Sequence, residues 1–221
     1  MTAKAVKITA KEKVKIHTQY KLANGQRVPS TTTVLNVLAK PALIQWAWQC
    51  GIDGKDWKAV RDSAGDIGTL VHYLIMCHLT KQEPDTSEYS AQDIDQAESC
   101  LIRFWDWEKG HNLKGTLIET PLVSEIFQFG GTPDWYGLLD DIPTLLDFKT
   151  SKGIYAEFFY QLAGYRTLLE EKGYEVQQAR ILRIGKEDND GFEERTINNL
   201  DVQWQVFQHC LAIYQLQKEM K

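Results

Sequence analysis

Asp147 and Lys149 stand two residues apart in the run LLDFKTS, with Asp134 upstream in the glycine-rich segment GGTPD. On a β-strand, residues i and i+2 point to the same face, so Asp147 and Lys149 project together while Phe148 turns the other way, into a core. A carboxylate and an ammonium then share one small site. Carboxylates hold a hard divalent cation, and a lysine beside them orients water and neutralises charge, which are the requirements for hydrolysing a phosphodiester. Mg2+ keeps several of its waters, so two aspartates, a backbone carbonyl and a substrate phosphate suffice as its other ligands. The same spacing also arises at a solvated strand end, where an exposed ion pair contributes under about 1 kcal/mol.

The flanking residues predict the elements that would position this pair. LLDFKTS reads as an apolar strand ending in polar residues, and GGTPDWYGLLDD as its hairpin partner, with Asp134 in a Gly-rich turn and Asp140, Asp141 and Pro143 forming the connection. Ile67, Leu70, Val71, Leu74, Ile75 and Leu79 have the spacing of an amphipathic helix, with His72 beside the stripe as either a structural imidazole or a ligand. Gly68 lies one turn earlier on the same face and leaves room for a metal-bound phosphate to approach. From Ile154 to Lys172 the apolar positions Ile154, Phe158, Leu162 and Leu169 again predict a helix. Gln161 and Tyr165 share one face of it, Tyr165 as a core aromatic or as a group of the site.

In this order, His72 in GTLVH, Glu119 in IETPLV, Asp134 in GGTPD, Asp147 and Lys149 in LDFKTS, and Gln161 with Tyr165 in QLAGYR resemble the RecB-like branch of the PD-(D/E)XK nucleases. The resemblance runs from Gly65 to Arg166. It implies a restriction-endonuclease-like α/β core in which His72, Asp134, Asp147 and the carbonyl of Phe148 hold Mg2+ or Mn2+. Lys149 takes the place of the catalytic lysine, and Gln161 with Tyr165 lies near the site and the DNA. Glu119 matches a recurrent acidic position; it is also readable as a plain strand residue, and Glu125 competes for any acidic role. Relatives with an iron-sulfur cluster carry one cysteine upstream and three clustered downstream, whereas here only Cys210 follows the core, so no iron-sulfur cluster is expected. The activity implied is exonucleolytic cutting at DNA ends in recombination, repair or phage DNA metabolism, with a recombination or single-strand-binding protein as the class of partner. An endonuclease on the same fold, or a nucleic-acid-binding module without turnover, are the alternatives.

Composition sets the outer bounds. The 221 residues are 43% hydrophobic, with no apolar run long enough to span a bilayer, so the reading is one domain without a membrane segment. Residues 1–60 read as an accessory hairpin and helices, 61–186 as the core, and 187–221 as a turn and a C-terminal helix. The N-terminus lacks the apolar stretch of a signal peptide, and Cys50, Cys77, Cys100 and Cys210 are scattered, which points to reduced core thiols and a cytoplasmic location in a bacterium or phage-infected host.

The net charge is −5, yet Lys4, Lys7, Lys11, Lys13, Lys15 and Lys21 against Glu12 give the first 21 residues +5 and leave −10 on the rest. The basic end would contact a phosphate backbone or form a solvated tail, and some of the acidic excess belongs to the metal site.

The remaining elements follow from local signals. Asn24-Gly25 predicts a hairpin between Val14–Tyr20 and Gln26–Val28, and Ser30 to Thr33 offers caps for a helix through Leu38. Pro41 starts a helix carrying Trp46 and Trp48, which cannot share a face; either both pack inside against different neighbours, or one is core and the other is exposed where it could stack on a base. Trp105 and Trp107 pose the same alternative. Lys81 to Ser90 reads as a loop, Ala91 to Lys109 as a helix, Val176 to Ile184 as a strand, Gly185 to Gly191 as a charged turn and Val202 to Met220 as a terminal helix. The sum is an α/β domain, a mixed central sheet with helices on both sides.

Overall fold

A computed structural model describes residues 18–187 and 190–220. Five of the six N-terminal lysines, and residues 14–17 of the expected first strand, lie outside the described residues.

A short hairpin, β1 (Tyr20–Lys21) and β2 (Arg27–Val28), is followed by helices α1 (Thr31–Leu35), α2 (Pro41–Ile52), α3 (Trp57–Thr80) and α4 (Ala91–Glu108). Then come β3 (Leu113–Ile118), β4 (Leu122–Ser124), β5 (Phe129–Gly131), β6 (Trp135–Leu139) and β7 (Ile142–Lys149). Helix α5 (Ala156–Glu170), strands β8 (Gln178–Ile184) and β9 (Phe192–Ile197), and helix α6 (Asp201–Glu219) complete the chain. The central sheet has five strands in the order β3-β6-β7-β8-β9. Only β7 and β8 run parallel. Helix α5 is the crossover that a parallel pair requires.

Helices cover both faces of the sheet, and the two central strands show it residue by residue. Leu146, Phe148, Leu182 and Ile184 pack with Leu70, Leu74 and Phe104 from α3 and α4. Leu145, Ile181 and Ala179 pack on the other side with Leu162, Leu168 and Phe207 from α5 and α6. A strand buried on both faces reads as a nearly continuous apolar run, which is why LLDF is legible as a strand. The α/β class with a mixed central sheet is thus the observed architecture.

The hairpin between β6 and β7 turns on Asp140 and Asp141 alone, with φ of 52° and 65°. This is the left-handed two-residue connection that matches strand twist. Pro143 belongs to the strand rather than to the turn, paired with Leu138. Pairing with β8 begins only at Thr144, so its missing N–H interrupts no ladder there. Gly130 and Gly131 likewise form buried strand β5 rather than a turn. Helix α3 begins ten residues before the expected Ile67, at Trp57, capped by the Asp56 carboxylate accepting from Lys58 N at 2.9 Å. Helix α1 ends at Leu35, short of the expected Leu38, with Ser30 as its cap.

Strand β3 reaches β6 across a bulge between Gly115 and Leu117. Opposite it, a Cβ on Gly137 would collide with the Lys114 carbonyl and lie 2.9 Å from Gly115 Cα. Backbone cannot yield as a side-chain tip can. Gly137→Ala is therefore expected to cost about 3 kcal/mol, read as a lower denaturant midpoint, and a midpoint within error of the parent would refute the close approach.

Candidate metal and catalytic site

The site lies where β7 ends, beside the start of β6 and the last residue of β3. Strand period two carries Asp147 and Lys149 to one side, and Lys149 Nζ lies 2.6 Å from Asp147 Oδ2. Phe148 turns into the core against Phe104 and, edge-on at 6.1 Å, against the ring of His72. Its backbone N–H donates to Asp134 Oδ2 at 2.6 Å, so Asp134 is fastened directly to the strand that bears Asp147. Asp134 stands at a bend immediately before β6, after Thr132-Pro133.

His72 enters from the middle of α3, its Nδ1 3.3 Å from Asp134 Oδ1 and 3.7 Å from Glu119 Oε1. Glu119 follows the last residue of β3 with φ of 45°, and its N–H donates to the Asp134 carbonyl at 3.0 Å. Among the described residues, His72, Glu119 and Asp134 bring their donor atoms within 4.8 Å of one another. Glu125, the competing acid, is exposed in the β4–β5 turn and accepts from Ala23 N at 2.8 Å. Gly68 faces Thr150, whose Oγ1 would lie 3.0 Å from a Cβ there. The space expected to admit a phosphate is filled by the threonine that follows Lys149.

Gln161 and Tyr165 meet one turn apart on α5, with Gln161 Nε2 donating to the Tyr165 hydroxyl at 2.6 Å. Tyr165 is buried beside the two aspartates. Its body belongs to the α5–α6 core, and its hydroxyl is close enough to Asp147 and Asp134 for their charges to reinforce the effect of burial and raise its pKa. Gly131 makes that placement possible, since a Cβ on it would lie 2.5 Å from Tyr165 Cε1 and 2.6 Å from Thr31 Oγ1. Phe158 sits beneath Lys149, 5.0 Å from Nζ to the ring centre.

The charges are strongly coupled. Burial disfavours the His72 cation, but Asp134, by charge and hydrogen bond, and then Glu119 outweigh it and push the imidazole from 6.5 to about 10. Burial also opposes ionisation of Asp134, yet His72, Lys149 and the Phe148 N–H together hold its carboxyl below the usual range. Glu119 goes the other way, raised mainly by burial despite its contact with His72. Asp147 is only 1% exposed, and burial lifts it from 3.8 to about 6, with Asp134 adding repulsion and Lys149 opposing.

Among the described residues, Lys149 Nζ at 2.6 Å from Oδ2 is the near cation of Asp147, and neither carboxylate oxygen receives a well-aligned hydrogen bond. A buried carboxylate with a single ammonium beside it and no aligned hydrogen bond is costly, and a hard divalent cation is a partner that such oxygens accept. The imidazole would add a nitrogen donor, which suits Mg2+ or Mn2+ less strictly than an all-oxygen shell does. The residues present therefore fit a divalent metal.

Known structures share part of this chain trace. No family model and no curated protein matches the chain. It is similar in fold to solved exonucleases. The alkaline exonuclease LHK-Exo from Laribacter hongkongensis aligns at 17% identity over 68% of this chain and 78% of its own, with TM-score 0.40. Its complex with dAMP aligns at 16% identity and TM-score 0.39 over the same shares. A candidate exonuclease from Eubacterium rectale aligns at 14% identity over 81% of this chain and 66% of its own, with TM-score 0.42.

Sequence reasoning missed Tyr20. Its ring lies on Gly130, and its hydroxyl is 2.8 Å from Thr132 Oγ1 in the segment leading to Asp134. Burial raises the phenol's pKa, the Thr132 hydrogen bond opposes that, and Glu119 adds to it, so the hydroxyl feels the site directly. No local pattern marks such a residue.

The four cysteines are buried on α2, α3, α4 and α6, with no disulfide among the described residues. Trp48 is 64% exposed and Trp46 half-buried, so the alternative in which both pack inside does not hold. Among the described residues, no helix is long and apolar enough to cross a membrane.

Proposed function

We propose that this protein is a Mg2+- or Mn2+-dependent deoxyribonuclease, acting as an exonuclease at DNA ends in recombination, repair or phage DNA metabolism. The observation that carries the reading is the cluster of His72, Glu119 and Asp134, whose charges reach a buried Asp147 carboxylate that has Lys149 beside it and no aligned hydrogen bond. A structural ion pair would be built the opposite way, with its lone pairs filled.

In this reading His72, Asp134, Asp147 and the Phe148 carbonyl hold the metal, and Glu119 accepts from its waters or joins it. The bound cation supplies Lewis acidity and a nucleophile competent at neutral pH. Lys149, held over the Phe158 ring, orients the attacking water and offsets charge on the phosphate. Gln161 and Tyr165 brace the floor of the site from α5, beside the path of the DNA.

The test is end-labelled linear DNA, single- and double-stranded, with a covalently closed circle as control, incubated with Mg2+, Mn2+ or chelator. Mononucleotide release from linear DNA that stops in chelator supports the proposal; cutting of the circle reveals an endonuclease instead. Intact DNA with either metal would sink the enzyme reading. Lys149→Ala is expected to slow cleavage by about 10²–10⁴-fold while Mn2+ binding, measured by calorimetry, persists.

A further inference from the structure

The N-terminal hairpin and α1 are built into the segment that leads to Asp134. The Gly130 N–H donates to the Pro29 carbonyl at 2.9 Å, and Thr31 Oγ1 donates to the Gly130 carbonyl at 2.9 Å, so both backbone groups of Gly130 are taken by residues from the N-terminal region. Ser30 forms a parallel bridge to the same glycine. Any Cβ on Gly130 would strike the Tyr20 ring, so the aromatic lies flat against bare backbone. Beyond it, the Tyr20 hydroxyl and Thr132 Oγ1 meet at 2.8 Å, two residues before Asp134. A further bond, Ala23 N to Glu125 Oε1 at 2.8 Å, ties the hairpin to the β4–β5 turn.

We infer that this hairpin is a clamp for the metal site and that Tyr20, through its hydroxyl on Thr132, is a positioning residue for Asp134. This deepens the nuclease reading and rests on it. Residues 132 and 133 lie between two strands and make no ladder of their own, so the path from Gly131 to Asp134 is held from outside by Tyr20 and, at its far end, by the Phe148 N–H. Metal ligands held only to within a bond rotation bind weakly; a supporting hydrogen bond removes that freedom before the ion arrives. The region expected from sequence to be accessory is then part of the site's frame.

Tyr20→Phe keeps the ring on Gly130 and deletes only the hydroxyl. In the full chain it is expected to weaken Mn2+ binding, measured by calorimetry, by about tenfold with little change in melting temperature. Thr132→Val deletes the bond from the other side and should do the same, and the double variant should be no worse than either single, whereas Thr132→Ser should bind like the parent. The Thr132 variants carry the test if Tyr20→Phe does not fold. Parent-like Mn2+ affinity in Tyr20→Phe, or additive losses in the double variant, would overturn the inference. Absence of both Mn2+ and Mg2+ binding by the parent protein would instead overturn the nuclease reading itself.

Discussion

An Asp147→Asn variant is expected to lose metal-dependent DNA cleavage by about 10³-fold and yet, free of metal at pH 8, to melt about 5 °C above the parent. Asp147 is buried, neither oxygen has an aligned donor, and burial lifts its carboxyl from 3.8 to about 6. A group whose folded pKa is raised holds its proton more tightly in the native state, so stability falls as pH rises from the unfolded value toward the folded one. The full cost, about 3 kcal/mol, is present above pH 6. Asparagine has the protonated group's charge and nearly its shape, so it escapes that cost, and part of the gain is offset because Lys149 loses its nearest partner. Near pH 4 the parent also carries a neutral group, and the two proteins should melt together. Calorimetric scans in chelator at both pH values decide the matter. A lower melting temperature for Asp147→Asn at pH 8 would show that the carboxylate is already well satisfied and would remove the physical case for a metal. Activity lost where stability is gained is the pattern of a site arranged for function rather than for folding.

Mn2+ affinity is expected to climb about tenfold per pH unit between pH 6.5 and 9, with about one proton released per ion bound. The source is His72, which Asp134 and Glu119 keep protonated up to about pH 10 against the opposing effect of burial. An imidazolium has no lone pair to give, so binding must displace its proton, and each unit below the pKa costs a factor of ten. The same shift adds stability to the metal-free protein that is complete below pH 6.5 and fades as pH rises toward 10, because a histidine with a raised folded pKa stabilises only while charged. Calorimetry in two buffers with different ionisation heats counts the protons directly. His72→Gln should bind more weakly and lose this pH dependence. A parent protein whose affinity is flat across the window would exclude His72 as a ligand.

Much of this site was readable before any coordinates because its chemistry is concentrated in short segments with a fixed local period. The two-residue repeat of a strand alone puts Asp147 and Lys149 together, and the four-residue spacing of a helix alone puts Gln161 beside Tyr165. Strand β7 stood out as an apolar run, and β8 as an alternating segment ending at Ile184. The edge strands did not: β3 is LKGTLI and β9 is FEERTI, with polar residues facing solvent, and edges are where sheets carry charge to discourage further pairing. The glycine pair misled for a related reason. Composition says turn, whereas Gly130 and Gly131 are strand residues left bare so that the rings of Tyr20 and Tyr165 can lie against them.

By itself, then, the sequence determined the set of reactive groups and the local pairs among them, since residue type and short spacing follow directly from the order of the chain. The tertiary structure alone decided that Glu119 rather than Glu125 joins His72, that Thr150 fills the gap at Gly68, that Tyr20 reaches the site, and that Asp147 is buried deeply enough to shift its pKa. Those outcomes depend on sheet register and on how helices cross the sheet. Distances between residues far apart in sequence, and the dielectric between them, exist only once the chain has packed.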